Sequence, residues 1–310
     1  MALITKPVFL KKTRWEKIVY PLFFLAPWII GLFVFSIYPV FSSFYLSLTN
    51  FSLFGEPDFI GATNYIRLMS DPRFIKACQV TTTYVFLGVP LQLAFALLLA
   101  MMLNRGIPGL QYFRAIYYLP ALLGGSVAIG ILWRQLFGME GLLNSILAFV
   151  GFPESITRIS WVTNPRYANY TLIILRVWQF GSPMIIFLAG LKQIPAELYE
   201  SASIDGAGKL RQFSHITLPM LSPIILFNLI MQTISAFQSF TPAYIMSGYG
   251  NLGGALDSML FYTLYLYIMG FTHFRMGMAS AMAWVLLAAI GLLIFLILKI
   301  SNNVVFYNED

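Results

Sequence analysis

The chain has 310 residues, 59% of them hydrophobic and 10% charged, with a mean hydropathy of +0.77, which leaves too little polar surface to coat a water-soluble globule. A single cysteine, Cys78, excludes an intramolecular disulfide, and two distant histidines, His215 and His273, without ligand spacing around them give no metal site. The formal net charge of +7 reads as an asymmetry of membrane loops and not as a nucleic-acid surface.

Crossing a bilayer as a helix takes about 20 apolar residues. Six stretches qualify: 20–48, 77–103, 115–137, 170–191, 220–246 and 277–298. The first follows Lys6, Lys11, Lys12, Arg14 and Lys17 and imitates a signal peptide, but it runs for about 30 residues with no A-x-A cleavage pattern and is expected to stay as an uncleaved span. On the third, Arg134 sits near the end beside Trp133 and reads as an interface anchor. A seventh run, 259–271, is too short to span and is expected to lie at the membrane surface. Its Phe261, Tyr262, Tyr265 and Tyr267 suit an interfacial belt better than a binding platform. On the sixth stretch Gly277, Ala281 and Ala288 approximate a small-residue seam for another helix, a partner subunit's included.

With the N-terminus in the cytoplasm, eleven lysines and arginines fall on the inner side and six on the outer, while Arg134 and Arg176 lie within spans. The positive-inside rule therefore predicts an all-α membrane protein of six transmembrane helices with both termini cytoplasmic.

Two features of the spans call for partners. On the fifth, Asn228, Gln232, Ser235 and Ser239 recur at intervals of four, three and four and share one helix face. Such an uncharged stripe can line a path for a polar solute, or it can bond across to a neighbouring helix for about 0.6–2 kcal/mol. On the fourth, Arg176 lies about two turns in, where a charge costs about 2.5–3.5 kcal/mol on insertion scales. No acidic residue occurs in the spans to pair with it, so it snorkels outward, meets a partner subunit's carboxylate, or meets a solute.

The longest polar interruption in the second half is ELYESASIDGAGKLRQFSHITLP. It reads as a helix over 196–203 behind Pro195, with Glu197 and Glu200 near its positive end, a turn at Asp205-Gly206, and a second helix over about 209–215. Leu218-Pro219 predicts an extended residue before the fifth span restarts. A two-turn helix is marginal alone and is expected either to dock on something or to be a plain connector. Gly208-Lys209 is not part of a phosphate loop, which would need glycine at Ser203 and a hydroxyl at Leu210.

Glu200-Ser201-Ala202, three residues, Gly206, nine residues and then Ile216-Thr217-Leu218-Pro219 resembles the E-A-A-x3-G-x9-I-x-L-P signature of binding-protein-dependent ABC importer permeases. Ser201 in place of alanine is the one departure, small for small. The surrounding IPAELYESASIDGAGKLRQFSHITLPMLSP, with PLFFLAPWIIGLFVFSIYP, FIGATNYIRLMSDPRF and FYTLYLYIMGFTHFRMGMASAMAWVLL, is similar to the carbohydrate branch, in particular the first permease of maltose-type transporters. The likeness covers essentially the whole chain.

The resemblance implies a cytoplasmic segment at 1–18, a permease domain over 19–300 with its coupling loop at 192–219, and a cytoplasmic tail at 301–310. It implies that Glu197, Glu200, Ser201, Ala202, Asp205 and Gly206 form a coupling helix seated on a separate ATPase. It also places substrate contacts on the fourth and fifth spans, hence Arg176, Gln179, Phe180, Asn228, Gln232, Ser235 and Ser239. The implied assembly is a second permease, two ATPase subunits and an extracytoplasmic solute-binding protein in a prokaryotic inner membrane, in contact with lipid and not with nucleic acid. No catalytic residue and no cofactor belong to this chain; ATP and Mg are bound by the ATPase. A carboxylate partner for Arg176, with Phe180 four residues on for a pyranose ring, points to an acidic oligosaccharide of alginate or pectin type. A neutral oligosaccharide or a glycerol-phosphate-type solute is the alternative. An ion-coupled secondary transporter is disfavoured by the lack of acidic residues in the spans and of an evident repeat.

Overall fold

The computed structural model describes residues 15–104, 109–248 and 250–301. The basic segment before residue 15, Arg105 and the tail after Ser301 lie outside the described residues. Among the described residues the chain is helical, with one isolated antiparallel bridge between Thr49 and Phe59. Four helices are long and apolar enough to cross a membrane: α1 (Val19–Ser47), α3 (Pro72–Leu103), the 39-residue Lys209–Ser247 and α12 (Met276–Ser301). The number rises to six if each of two bent pairs is one span. Between α1 and α3 lies the short α2 (Thr63–Ser70). Its buried Asn64 donates to the Ser47 and Thr49 carbonyls at 2.9 and 2.7 Å and so satisfies the C-terminal end of α1.

The third and fourth apolar stretches are not straight, which corrects the sequence expectation. The third divides into α4 (Leu110–Leu123) and α5 (Val127–Leu136), bent by 95°. Gly124 and Gly125 form the corner, and the Ser126 hydroxyl accepts from the Ile129 amide at 3.3 Å to start α5. The fourth divides into α6 (Ala168–Trp178) and α7 (Gly181–Leu191), bent by 41°. Its cause is Pro183, which has no N–H for the Gln179 carbonyl four residues back. Gln92 of α3 supplies the missing donor, its Nε2 lying 3.0 Å from that carbonyl.

A second correction concerns Pro219. No extended residue precedes it: Leu218 is helical, with φ −62° and ψ −48°. The helix runs from Lys209 through a π turn at Phe213–Thr217 into α9 (Leu218–Phe237) and, after a break at 238–240, α10 (Thr241–Ser247). The wide turn shifts hydrogen bonding to the fifth residue back, as in Leu218 N–H to the Phe213 carbonyl, and makes room for a ring that can neither donate nor approach His215. A π turn at Phe33–Ile37 does the same for Pro39 in α1.

Contacts fix the helix directions. α3 runs parallel to α6 and α7, because Asn169 bonds the Val80 carbonyl near one end and Gln92 bonds Gln179 further on. α4 and α5 oppose them, with Gly181 against Tyr117, Gln179 bonded to the Gly124 carbonyl and Trp133 bonded to the Thr171 carbonyl. α9 also opposes them, with Gly190 against Leu221 and Arg176 bonded to Gln232. The loop after α7 therefore lies at one end of the bundle, and the start of α3 lies at the other.

The 259–271 run is not a surface helix. Met259, Leu260, Phe261, Tyr262, Leu264 and Tyr265 are all buried around α11 (Tyr262–Tyr267). The tyrosines can be inside because their polar groups are satisfied. The Tyr262 amide donates to Thr81 Oγ1 at 2.8 Å and its hydroxyl to the Met282 carbonyl at 2.7 Å, while the Tyr265 hydroxyl donates to Asp71. Burial, and then the Asp71 hydrogen bond, push the Tyr265 phenol up, so it remains a donor. The small-residue seam on α12 is also used internally. A Cβ on Gly277 would stand 2.3 Å from the Thr49 carbonyl, and Trp284 bonds Ser43, so Gly277 and the buried Ala281 face this chain's own interior while Ala288 is exposed.

Candidate functional site

At the loop end, α8 (Ala196–Ile204) starts behind Pro195 and stops at Asp205. Gly206 has φ +77°, a left-handed conformation that a side chain would strain, and it turns the chain into Lys209–Gln212. Two clasps hold this short helix. Gln212, 4% exposed, donates from Nε2 to Ser203 Oγ at 2.9 Å and to the Ala207 carbonyl at 3.2 Å. The Tyr199 hydroxyl lies 2.9 Å from Thr217 Oγ1 on the π turn leading into α9. A rigid-body movement of α8 is thereby linked to a membrane helix. Glu197, Glu200, Ser201, Asp205 and Gly206 are exposed, and Ala202 is half-buried. The residue pattern did not single out Ile204 and Leu210, which are 88% and 82% exposed beside these carboxylates.

In the bundle interior the predicted substrate-path residues separate. Arg176 is buried and donates from Nη2 to the Gln232 carbonyl at 2.6 Å and to Gln232 Oε1 at 3.2 Å. Its guanidinium also lies 5.6 Å from the centre of the Tyr84 ring. Counted by carboxylates alone, Arg176 has no internal partner; the structure supplies a carbonyl, an amide and a ring. The Phe180 ring is buried edge-on against Phe95 and Tyr117, at 5.1 and 6.0 Å, so it does not offer a face to a sugar. Gln179 reaches the Gly124 carbonyl at 3.1 Å and ties the corners of the two bent pairs together. Asn228 is fully buried, and neither amide atom finds a partner among the described residues. Of the stripe, Ser235 is exposed and Ser239 is half-buried, with its carbonyl accepting from Thr263. Gln232 thus bonds across to a neighbouring helix, the alternative reading of the stripe, whereas Asn228 is packed inside without such a bond to any described residue.

At the end opposite the loop there is a cavity of about 830 Å³ that no sequence motif announced. It is walled by α5, α10 and the chain near His273, and it contains Arg73, Arg134, Gln135, Asn251 and His273. Arg73 is held by Asp257, Nε to Oδ2 at 2.9 Å and Nη2 to Oδ1 at 2.7 Å, and stands 5.5 Å from the centre of the Tyr265 ring. Arg134 is exposed in the last turn of α5 and faces this cavity beside Gly248, whereas its neighbour Trp133 is buried.

Residues 60–306 match the family described as "Binding-protein-dependent transport system inner membrane component". The chain belongs to this family. The permease is a multi-pass inner-membrane component of an ABC transporter. It is 49% identical over 287 residues to the "Probable ABC transporter permease protein YesP" of Bacillus subtilis (strain 168), covering 92% of this chain and 91% of that one. It is 34% identical over 305 residues to the "Arabinooligosaccharides transport system permease protein AraP" of the same organism, covering 94% and 93%. Among solved structures it resembles a chain of a "bacterial alginate ABC transporter in complex with alginate pentasaccharide-bound periplasmic protein", with a TM-score of 0.79 over 94% of this chain and 98% of that one. At 22% identity that likeness carries the fold alone.

Proposed function

We propose that this permease is one of two membrane-spanning subunits of an ATP-driven importer of oligosaccharides, paired with a second permease, two ATPase subunits and an extracytoplasmic solute-binding protein. The observation that carries this reading is the tethered helix α8. It presents Glu197, Glu200 and Ile204 outward and is clasped through Gln212 and Thr217 to α9, so that a push on it reaches the bundle. In this reading both termini and the 192–219 loop face the cytoplasm. ATP with its Mg is bound and hydrolysed by the ATPase subunits, and this chain performs no covalent step. Closure of the ATPases moves α8, and the bundle alternates between inward and outward access.

The substrate class we assign is an acidic oligosaccharide, of alginate or pectin type. Arg176 no longer supports this assignment, since Gln232 occupies it. Support comes instead from the cavity at the opposite end, whose described lining holds Arg134 and His273 beside an Arg73 that is already paired with Asp257. The coupling role is tested by Glu200→Lys in the co-expressed complex. The expected result is loss of the ATPase subunits on purification, or ATP hydrolysis without uptake, with the two permeases still associated. Normal uptake by an intact complex would remove the assignment of α8.

A further inference from the structure

Of the two arginines in the cavity, one is committed and one is not. Arg73 is held bidentately by Asp257, which offsets its charge. Arg134 is exposed and forms no hydrogen bond or ion pair with any described residue. Its position is nevertheless defined. The guanidinium lies against Gly248, where a Cβ would come within 3.0 Å of Nη2, and Gly248 has φ +85°, so the backbone there leaves the room that the guanidinium fills. A guanidinium is a planar fork of five donors with no acceptor, matched to a carboxylate. The surrounding wall also suits a sugar. Tyr244, stacked on Phe240 at 5.3 Å, and Ile245 give an apolar face for ring C–H groups, while Gln135, Asn251 and Thr272 give amide and hydroxyl partners. The volume lies within the roughly 300–1,000 Å³ of small-molecule sites.

We infer that this cavity is a subsite for one uronate unit of the substrate, and that Arg134 determines specificity by binding the unit's carboxylate in bidentate fashion. This rests on the importer reading above. A neutral sugar gains little from an arginine without a counter-charge, whereas a uronate supplies the missing acceptor. Arg134 and Tyr244 both line this concave site, whereas a docked protein makes a flatter contact.

The test uses the complete importer complex in nanodiscs, titrated with fluorescently labelled trigalacturonate and with its carboxyl-reduced, neutral counterpart. Docking of the solute-binding protein is measured separately on the same samples. For Arg134→Gln the dissociation constant of trigalacturonate should rise about 10- to 100-fold, as expected for losing charge-assisted hydrogen bonds. Arg134→Lys should lose less, because charge remains while the fork does not. Binding of the neutral sugar and docking of the binding protein should not change. An equal loss for both sugars would make Arg134 structural, and a loss confined to docking would make it a protein contact; either overturns the inference. If the wild type prefers the acidic sugar and Arg134→Gln keeps that preference, the subsite is wrong while the acidic substrate stands. If the wild type binds both sugars alike, subsite and acidic substrate fall together, and the coupling role of α8 is untouched.

Discussion

The clasp between Gln212 and α8 can be loosened without touching the surface that docks. Gln212→Leu keeps the side-chain volume but removes both hydrogen bonds from Nε2, to Ser203 Oγ at 2.9 Å and to the Ala207 carbonyl at 3.2 Å. Each such bond contributes about 1 kcal/mol net. The Ala207 carbonyl is on a half-buried residue, so water can replace one partner at little further cost. Together the two bonds hold the 196–207 segment, α8 with the turn after it, by about 2 kcal/mol, and their loss raises the population with that segment detached about 30-fold. Hydrogen exchange of peptides spanning 196–207 in the purified complex measures this population directly, since local opening governs amide exposure. The substitution should speed exchange there by about 30-fold, and Ser203→Ala, which removes one of the two bonds, by about fivefold. Exchange in α3 and α12 should not change. An unchanged rate across 196–207 in Gln212→Leu would show that the Gln212 clasp does not hold α8, and would leave the Tyr199–Thr217 contact to carry a push on α8 to α9.

Two further predictions concern the corners of the bent helices. Gln92→Leu leaves the Gln179 carbonyl, already deprived of a donor by Pro183, without a partner; it should cost about 1–3 kcal/mol and lower the thermal midpoint of the complex. Gly181→Ala should be more damaging than Gly124→Ala in the same melting assay. At Gly181 the new Cβ meets the backbone carbonyl of Tyr117 at 2.5 Å, whereas at Gly124 it meets the Gln179 side chain at 2.3 Å, which can swing away at the loss of one hydrogen bond.

What the sequence disclosed, and what it withheld, follows from the range of the forces involved. Stretches such as 20–48 and 77–103 are visible because bilayer thickness demands a long apolar run, and nothing tertiary is needed to see one. The turn at Gly206 is visible for a similar reason, since Asp205-Gly206 carries its own backbone preference. By contrast, the bend at Gln179 depends on Gln92, 87 residues earlier, standing ready to donate to the orphaned carbonyl. Pro219 misleads for the same reason: a proline signals a break, but a π turn absorbed it within a continuous helix. By charge alone Arg176 has no partner in the spans; the Gln232 carbonyl and side-chain oxygen that hold it are groups no composition reveals. The tyrosines at 259–271 look interfacial until Asp71, Thr81 and Met282 are seen to satisfy them from distant parts of the chain. The cavity around Arg134 joins residues from four separate segments, with no local pattern to mark it.

The central claim is that this chain carries an oligosaccharide across the membrane only when an ATPase drives it. The direct measurement is uptake of radiolabelled oligosaccharide by proteoliposomes containing the purified two-permease, two-ATPase complex, supplied with loaded binding protein and with ATP on the ATPase side. Accumulation should require both ATP and binding protein, persist when ion gradients are collapsed, and stop with Glu200→Lys. Uptake that continues without ATP but disappears with the proton gradient would contradict the account.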